Sequence, residues 1–246
     1  MRLPGSDYDL APADYRGYRL LVMTHGSDVS DIVRAGGEIE PEVAAVFRRT
    51  VRPGMVVVDA GANLGVHTIL LADLVGPSGR VIAFEPNRHL TPVLAHNVAA
   101  NGFADRVTIH PAGCARTSGG VPFFESDRNV GESSVCFPHW HEYRVSEVEV
   151  IPLDDAVRGQ VDFIKLDVEG AEYDVLAGGT EILATHRPMI VLELGHCREV
   201  ADLLRLLAPL RYEYYTTGGE PLAAAAVCES TGGPVFNIVC QPAGRR

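Results

Sequence analysis

Lysine is nearly missing from this chain. Among 21 basic residues only Lys165 is a lysine, and 32 acidic side chains leave a formal net charge of −11. So acidic a chain repels phosphate backbones, which excludes nucleic-acid binding through bulk electrostatics. Tryptophan also occurs once, at Trp140. The cysteines Cys114, Cys136, Cys197, Cys228 and Cys240 form no CxxC pair and no cluster with histidine. That spacing speaks against a disulfide framework and for reduced thiols. Apolar runs fall far short of the roughly 20 residues a membrane span needs, and MRLPGSDYDL has no signal-peptide core. A cytoplasmic protein with no membrane span and no nucleic-acid partner is expected. Repeats are absent too, and Ala223–Ala226 is the nearest approach to low complexity. What remains is ordinary for a globular protein: 246 residues, 46% hydrophobic and 22% charged.

The chain alternates short β-branched runs with helical stretches, the signature of βαβ units and a parallel sheet. Met55–Asp59, Val81–Glu85, Val107–His110, Val161–Leu166 and Met189–Leu194 read as strands. Helices are expected at Val66–Leu74, Leu90–Asn101, Glu172–Thr185 and Val200–Ala208. Tyr212–Thr216 and Val235–Cys240 follow with no convincing helix in the linker Thr217–Pro234, so they should pair antiparallel in a mixed sheet. Residues 1–52 form a lead-in or cap with a helix near Pro41–Thr50. Residues 115–152 insert strand-like pieces, Val121–Glu125 and Val145–Ile151, into the domain spanning 53–246.

The sharpest motif is Val58-Asp59-Ala60-Gly61-Ala62-Asn63-Leu64-Gly65, placed after an apolar strand and opening a helix. In a doubly wound sheet this turn presents backbone N–H groups and a helix N-terminus to a ligand. Its G-x-x-x-G spacing differs from the G-x-G-x-x-G of a pyrophosphate site. Asp59 before the first glycine repels a pyrophosphate but welcomes a ligand carrying an ammonium and a sulfonium, as S-adenosylmethionine does. Glu85, in Phe84-Glu85-Pro86, ends the second strand where an acid accepts ribose hydroxyls. Both acids could instead cap helices at strand ends.

The fourth strand reads Phe163-Ile164-Lys165-Leu166-Asp167-Val168-Glu169-Gly170, with Phe163, Lys165 and Asp167 on one face. Central parallel strands are normally apolar on both faces, so charges at this carboxyl end suit a ligand site, or a buried ion pair serving structure alone. The fifth strand ends Leu192-Glu193-Leu194-Gly195-His196. His196 is a candidate general base or a bystander, and Glu193 orients a partner or pairs with Lys165. In the insertion, Ser134 and His139-Trp140-His141 are candidate acceptor contacts, with Trp140 either a stacking wall or an anchor. Two histidines at this spacing are a weak metal signal.

These runs resemble the FkbM family of S-adenosylmethionine-dependent methyltransferases. The resemblance rests on Val57 to Gly65, Phe84-Glu85-Pro86, the Lys-x-Asp-x-Glu-Gly run from Lys165 to Gly170, Pro152-Leu153-Asp154-Asp155, and Val175-Leu176-Ala177-Gly178, within about residues 38–200. It implies an α/β class I methyltransferase fold, Rossmann-like, whose seven-stranded, mostly parallel sheet has its last strand antiparallel. It implies that Asp59, Gly61, Ala62, Asn63, Gly65, Glu85, Pro86 and Asp167 hold the cofactor, with Lys165, Asp167 and Glu169 at the reacting end. Methyl transfer to a hydroxyl of a sugar, glycolipid or polyketide-type acceptor follows, with residues 1–37 and 115–147 selecting that small molecule. Asp167 or His196 is then the expected base, with Lys165 orienting it or, deprotonated, replacing it. A divalent metal held by Asp167 and Glu193 is a lesser alternative, so no metal ligand is assigned. N- or carboxyl-methylation, a nicotinamide-dependent oxidoreductase and a non-catalytic cofactor binder are the rival functions.

Overall fold

The computed structural model describes residues 1–126, 128–136, 142–195, 199–229 and 237–244. The lead-in is more ordered than the sequence suggests. It begins with an antiparallel hairpin, β1 (Leu10–Tyr15) and β2 (Tyr18–Met23), followed by α1 (Asp28–Arg34). In α2 (Pro41–Thr50), Pro41 occupies the first turn, where a missing N–H costs nothing. Val43, Ala44, Val46 and Phe47 form the buried stripe of that helix. The α/β alternation then runs β3 (Val56–Ala60), α3 (Val66–Val75), β4 (Arg80–Phe84), α4 (Thr91–Ala100), β5 (Val107–His110).

Next, β6 (Gly113–Cys114), β7 (Gly119–Ser126) and β8 (Tyr143–Ile151) form a separate small sheet in the order β6-β8-β7. The chain continues through α5 (Leu153–Ala156), β9 (Phe163–Leu166), α6 (Glu172–Ala177), α7 (Thr180–His186), β10 (Met189–Glu193) and α8 (Val200–Leu207). It closes with β11 (Tyr212–Thr216), β12 (Pro221–Leu222), α9 (Ala224–Glu229) and β13 (Asn237–Pro242).

The main sheet has the order β12-β11-β13-β10-β9-β3-β4-β5. β10, β9, β3, β4 and β5 are mutually parallel, and β13 lies antiparallel between β10 and β11. This is the expected mixed sheet with one addition. The two-residue β12 on the edge makes eight strands rather than seven. It belongs to the linker read as structureless, which also carries α9. There an alanine run, the best helix former, buries Val227 completely. The single helix expected over Glu172–Thr185 is two, α6 and α7. A Cβ on Gly178 would lie 2.1 Å from the Ala115 carbonyl oxygen, so the chain between them is pressed against the start of the insertion. No helix among the described residues is long and apolar enough to cross a membrane.

Register decides which side chains share a face. Val58, Ile164 and Ile190 align and pack toward α6, α7 and α8. Val57 and Phe163, with Val191 on β10, pack toward α2 and α3. On that second face the pairing of β3 with β9 sets Asp59 opposite Lys165.

The hairpin is tied to the α/β unit by Asn97 of α4, which is fully buried. Its Nδ2 donates to the carbonyls of Leu21 at 2.9 Å and Leu64 at 2.8 Å, while its Oδ1 accepts from the Leu21 amide at 2.6 Å. Asn97→Ala leaves all three backbone groups without their partner, and each buried orphan costs about 1–3 kcal/mol. Equilibrium denaturation should therefore show a loss of about 3 kcal/mol or more; a loss under about 1 kcal/mol would contradict this role.

Candidate active site

The site is built outside the carboxyl ends of β9, β3 and β4, where open α/β sheets bind their ligands. Gly61 leaves β3 with φ +82°, and a Cβ there would sit 1.7 Å from the Asp167 carbonyl oxygen. Only glycine lets the loop pass so close to the end of β9. Asn63 is also left-handed, at φ +52°, and its Oδ1 accepts from the Leu64 amide at 2.7 Å. Gly65 begins α3 packed on Leu94 of α4, away from the cavities described below.

Glu85 is 5% exposed and accepts from the Asn63 amide at 2.7 Å with one oxygen and the Asn87 amide at 2.8 Å with the other. Burial pushes its pKa up to about 7, against the pull of those two hydrogen bonds. Each oxygen keeps a second acceptor position. A cleft open to solvent runs past this carboxyl group. Phe84, Leu90, Cys114 and Phe123 give it an apolar slot; Gly61, Asn63, Pro86, Asp167 and Glu169 continue the wall across the strand ends. An apolar slot for a ring, a carboxyl beside it for ribose hydroxyls, a loop with no side chain in the way and carboxylates beyond fit a nucleoside with a cationic tail.

Ser134 also lines this cavity, but its hydroxyl is engaged. It donates to the Glu169 carbonyl at 2.7 Å and accepts from the Cys136 amide at 2.9 Å, fastening the insertion to the loop after β9. Glu169 itself stands in the left-handed region at φ +55°. The expected acceptor contacts His139, Trp140 and His141, and the candidate base His196, lie outside the described residues.

Asp59 is placed differently from the expectation that it meets the cofactor's cationic groups. It is fully buried and absent from the cavity wall. One oxygen accepts from the Thr68 hydroxyl at 2.6 Å; the other lies 3.3 Å from the Lys165 ammonium, an ion pair without hydrogen-bond geometry. The cause is register: Asp59 points to the face covered by α3, where Lys165 is its cross-strand neighbour. Its influence on the site passes through that lysine.

Lys165, 3% exposed, donates to the Gly61 carbonyl at 2.8 Å and also lies 3.3 Å from Asp167 Oδ2. Burial pulls its pKa down, but the carboxylates of Asp59, Asp167 and Glu40 outweigh that pull and leave it above the ordinary lysine value. The surrounding carboxylates thus favour the ammonium form of Lys165, which suits a charged anchor better than a base. Glu193 is drawn to Asp167. Burial first, then repulsion from Asp167, Glu169 and Glu40, raises its pKa to about 9, and its protonated carboxyl hydrogen-bonds Asp167.

A second, smaller cavity lies on the other side of the loop, lined by Ile39, Glu40, Ala62, His67, Lys165 and Asp167. Asp167 and the Gly61–Asn63 loop border both cavities. Sequence reasoning missed Glu40 and His67. Glu40 precedes α2 at φ +39°; its Oε1 accepts from Asn237 Nδ2 at 3.0 Å, and its Oε2 is 3.6 Å from His67 Nδ1. Burial and the nearby Asp167 push Glu40 up to about 7. Burial and the Lys165 charge hold His67 down to about 4, so its ring is neutral. His67 lies in the first turn after the glycine loop, a signal legible once that loop is recognised. Glu40 had none, since it reaches the site only through the fold.

The raised carboxyls tie stability to pH. Glu85, Glu40 and Glu193 hold protons in the folded state that the unfolded chain releases near 4.3, so stability falls as pH rises from about 5 to about 9. Depressed His67 acts in the opposite sense and only toward acid pH. Melting temperatures of the cofactor-free protein should decline across that window, and Glu193→Gln, which mimics the protonated carboxyl, should flatten the decline. Equal slopes in the two proteins would overturn the placement of Glu193.

Comparison with known proteins shows the lineage of the chain. The family model of the methyltransferase FkbM domain matches residues 59–214. Methyltransferase sdnD of Sordaria araneosa is 27% identical over 158 residues, which cover 51% of this chain and 60% of that protein. The solved structure of methyltransferase FkbM from Methylobacillus flagellatus KT superposes with a TM-score of 0.52 at 20% identity, covering 80% of this chain and 50% of that one. A TehB-like SAM-dependent methyltransferase from Corynebacterium glutamicum gives 0.50 at 13% identity, over 86% and 92% of the two chains. The chain thus spans about half to three-fifths of the length of its FkbM and sdnD relatives. The two structural likenesses show the fold, and the family match, covering more than half of the sequence and the whole Lys165–Gly170 run, shows the lineage. The chain belongs to the FkbM family of S-adenosylmethionine-dependent methyltransferases.

Proposed function

We propose that this methyltransferase modifies a hydroxyl oxygen of a small acceptor, a sugar, glycolipid or polyketide-type natural product. The observation that carries the reading is the position of Asp167, on the border of two cavities and 3.3 Å from a buried ammonium. Glu85, Gly61, Asn63 and Pro86 would hold S-adenosylmethionine along the larger cavity, which, when bound, supplies an electrophilic methyl group on a cationic sulfur. The smaller cavity, walled in part by Val29, Ile39 and Glu40 of the lead-in, is the acceptor side. This supports a selective role for the lead-in, and Ser134 supports one for the insertion.

A hydroxyl is a poor nucleophile and needs a base as its new bond forms. In this reading Asp167 takes the hydroxyl proton. Lys165 fixes the orientation of that carboxylate, and Glu193 donates to it from the other side. The remaining acceleration comes from proximity, worth about 7–11 kcal/mol for well-oriented reactants. The acidity of the chain supports a small-molecule partner over nucleic acid, and the buried thiols of Cys114 and Cys240 support a cytoplasmic setting. Amino- or carboxyl-methylation ranks second, since the sequence has no Asn/Asp-Pro-Pro-aromatic run of the kind amino-methylating enzymes often use.

Asp167→Asn keeps the shape and removes the base. Single-turnover transfer from labelled donor should slow by about 10²–10⁴-fold. Binding of S-adenosylhomocysteine should weaken by less than about tenfold, since one wall group of many has changed. Near-normal turnover in this variant would remove Asp167 from the role of base.

A further inference from the structure

The Glu85 carboxyl is held by amides from two separate loops, and the two loops are secured differently. Asn63 lies in the glycine loop, where its own Oδ1 closes the turn onto Leu64. Asn87 lies between β4 and α4, lines the larger cavity and is only 2% exposed. Its carbonyl accepts from the Leu90 and Thr91 amides at 3.0 and 3.1 Å. Its Oδ1 accepts from the His89 amide at 2.9 Å, the contact of an Asx turn. Its Nδ2 has a partner from outside the α/β unit: it donates to the Tyr8 hydroxyl of the lead-in at 3.1 Å.

Tyr8 is itself anchored to that loop. Its ring meets the His89 ring edge-on, with centroids 5.9 Å apart and planes at 71°. Its amide donates to Ser6 Oγ at 3.3 Å. Burial pushes the Tyr8 pKa up against the pull of the Asn87 hydrogen bond, and the charges of Glu125 and Glu85 add to the push. The hydroxyl therefore stays neutral, and it stands within the field of the Glu85 carboxyl. Tyr8 lies behind the cavity wall rather than on it. Two hydrogen bonds in series, one to the Asn87 side chain and one from the Asn87 amide, connect it to Glu85.

From this series we infer that Tyr8 is a positioning residue for the methyl donor: by holding Asn87 it keeps the Glu85 carboxyl turned to accept the ribose hydroxyls. The inference rests on the placement of the donor along the larger cavity, and it gives the lead-in a second task beside acceptor selection. A carboxylate takes both ribose hydroxyls only if both of its oxygens face them, because hydrogen bonds weaken steeply away from linearity. Without the Tyr8 oxygen, Nδ2 is left unpaired at a buried position. The planar amide cannot turn to a new partner without breaking the Oδ1 contact to His89 that pins the loop. A loosened loop leaves Glu85 with the Asn63 amide alone, and a carboxyl held at one oxygen can rotate away from the ribose.

The test reads the ribose contact by itself. Adenosine and dideoxyadenosine, which lacks the two hydroxyls on the ribose ring, are titrated by ligand-observed NMR against the unmodified protein, Tyr8→Phe, Asn87→Ser and the double variant. Tyr8→Phe keeps the ring on His89 and removes only the hydroxyl. Asn87→Ser keeps a short side-chain oxygen for the turn and removes the Nδ2 donor. The unmodified protein should prefer adenosine by at least about tenfold. Each single variant should narrow that preference by at least about threefold, and the double variant no further, since both act on one hydrogen bond. Cooperative thermal unfolding reports which variants are folded, and either single variant suffices should the other fail. A role in stability alone weakens both nucleosides equally. A preference left intact in a folded single variant, or narrowing that multiplies in the double variant, overturns the inference. Equal or absent binding of the two nucleosides by the unmodified protein is a different result, and it sinks the donor placement on which the inference rests.

Discussion

The Lys165 ammonium is the point through which the cofactor loop, the end of the central strand and the border between the two cavities are held in one geometry. Taking an ammonium out of water costs several kcal/mol, and only close, well-placed acceptors offset that. Here they are the Gly61 carbonyl and the carboxylates of Asp59 and Asp167. The parallel register of β3 and β9 supplies Asp59, and the chain itself supplies Asp167 two residues on. Gly61 must be glycine for the loop to come near enough. Removing the lysine leaves the fully buried Asp59 without its countercharge, at a cost of about 3–5 kcal/mol. In a chain that otherwise uses arginine throughout, the one compact ammonium lies at this buried position.

That single contact also explains how the acidity is used. Asp59 is spent on holding the lysine, and Asp167 on the border between donor and acceptor. Glu85 stays with the ring and ribose end of the larger cavity, with its two amide hydrogen bonds fixing the carboxyl plane. Glu40 and Glu193 remain, pushed toward their protonated forms by burial and by the nearby Asp167. Burial of this kind is the usual way a site tunes its carboxyls.

Much of this was legible in the sequence because it is local. The strand–glycine–helix run, Glu85 at the end of the second strand and the Lys165–Gly170 run each put their chemistry within a few residues of a recognisable turn. The antiparallel β13 was expected from a linker with no convincing helix in its sequence, and the pairing holds although that linker carries the six-residue α9. What escaped depends on contacts distant in sequence. The direction of Asp59 follows from which face α3 covers, and the arrival of Glu40 follows from Asn237 nearly two hundred residues away. The break between α6 and α7 follows from the Ala115 backbone, which no helical pattern encodes. The fate of a carboxyl such as Glu193 is set by its neighbours' charges, so residue identity alone left it to orient a partner or to pair with Lys165.

The most direct test is S-adenosylhomocysteine affinity in Lys165→Arg, measured by calorimetry beside thermal unfolding. The substitution keeps the positive charge and changes only how it reaches Gly61, Asp59 and Asp167. A loosened loop should weaken affinity by about tenfold or more in a protein that still unfolds cooperatively. Affinity within about twofold of the unmodified protein would show that any buried cation suffices, and that the lysine does not organise the site.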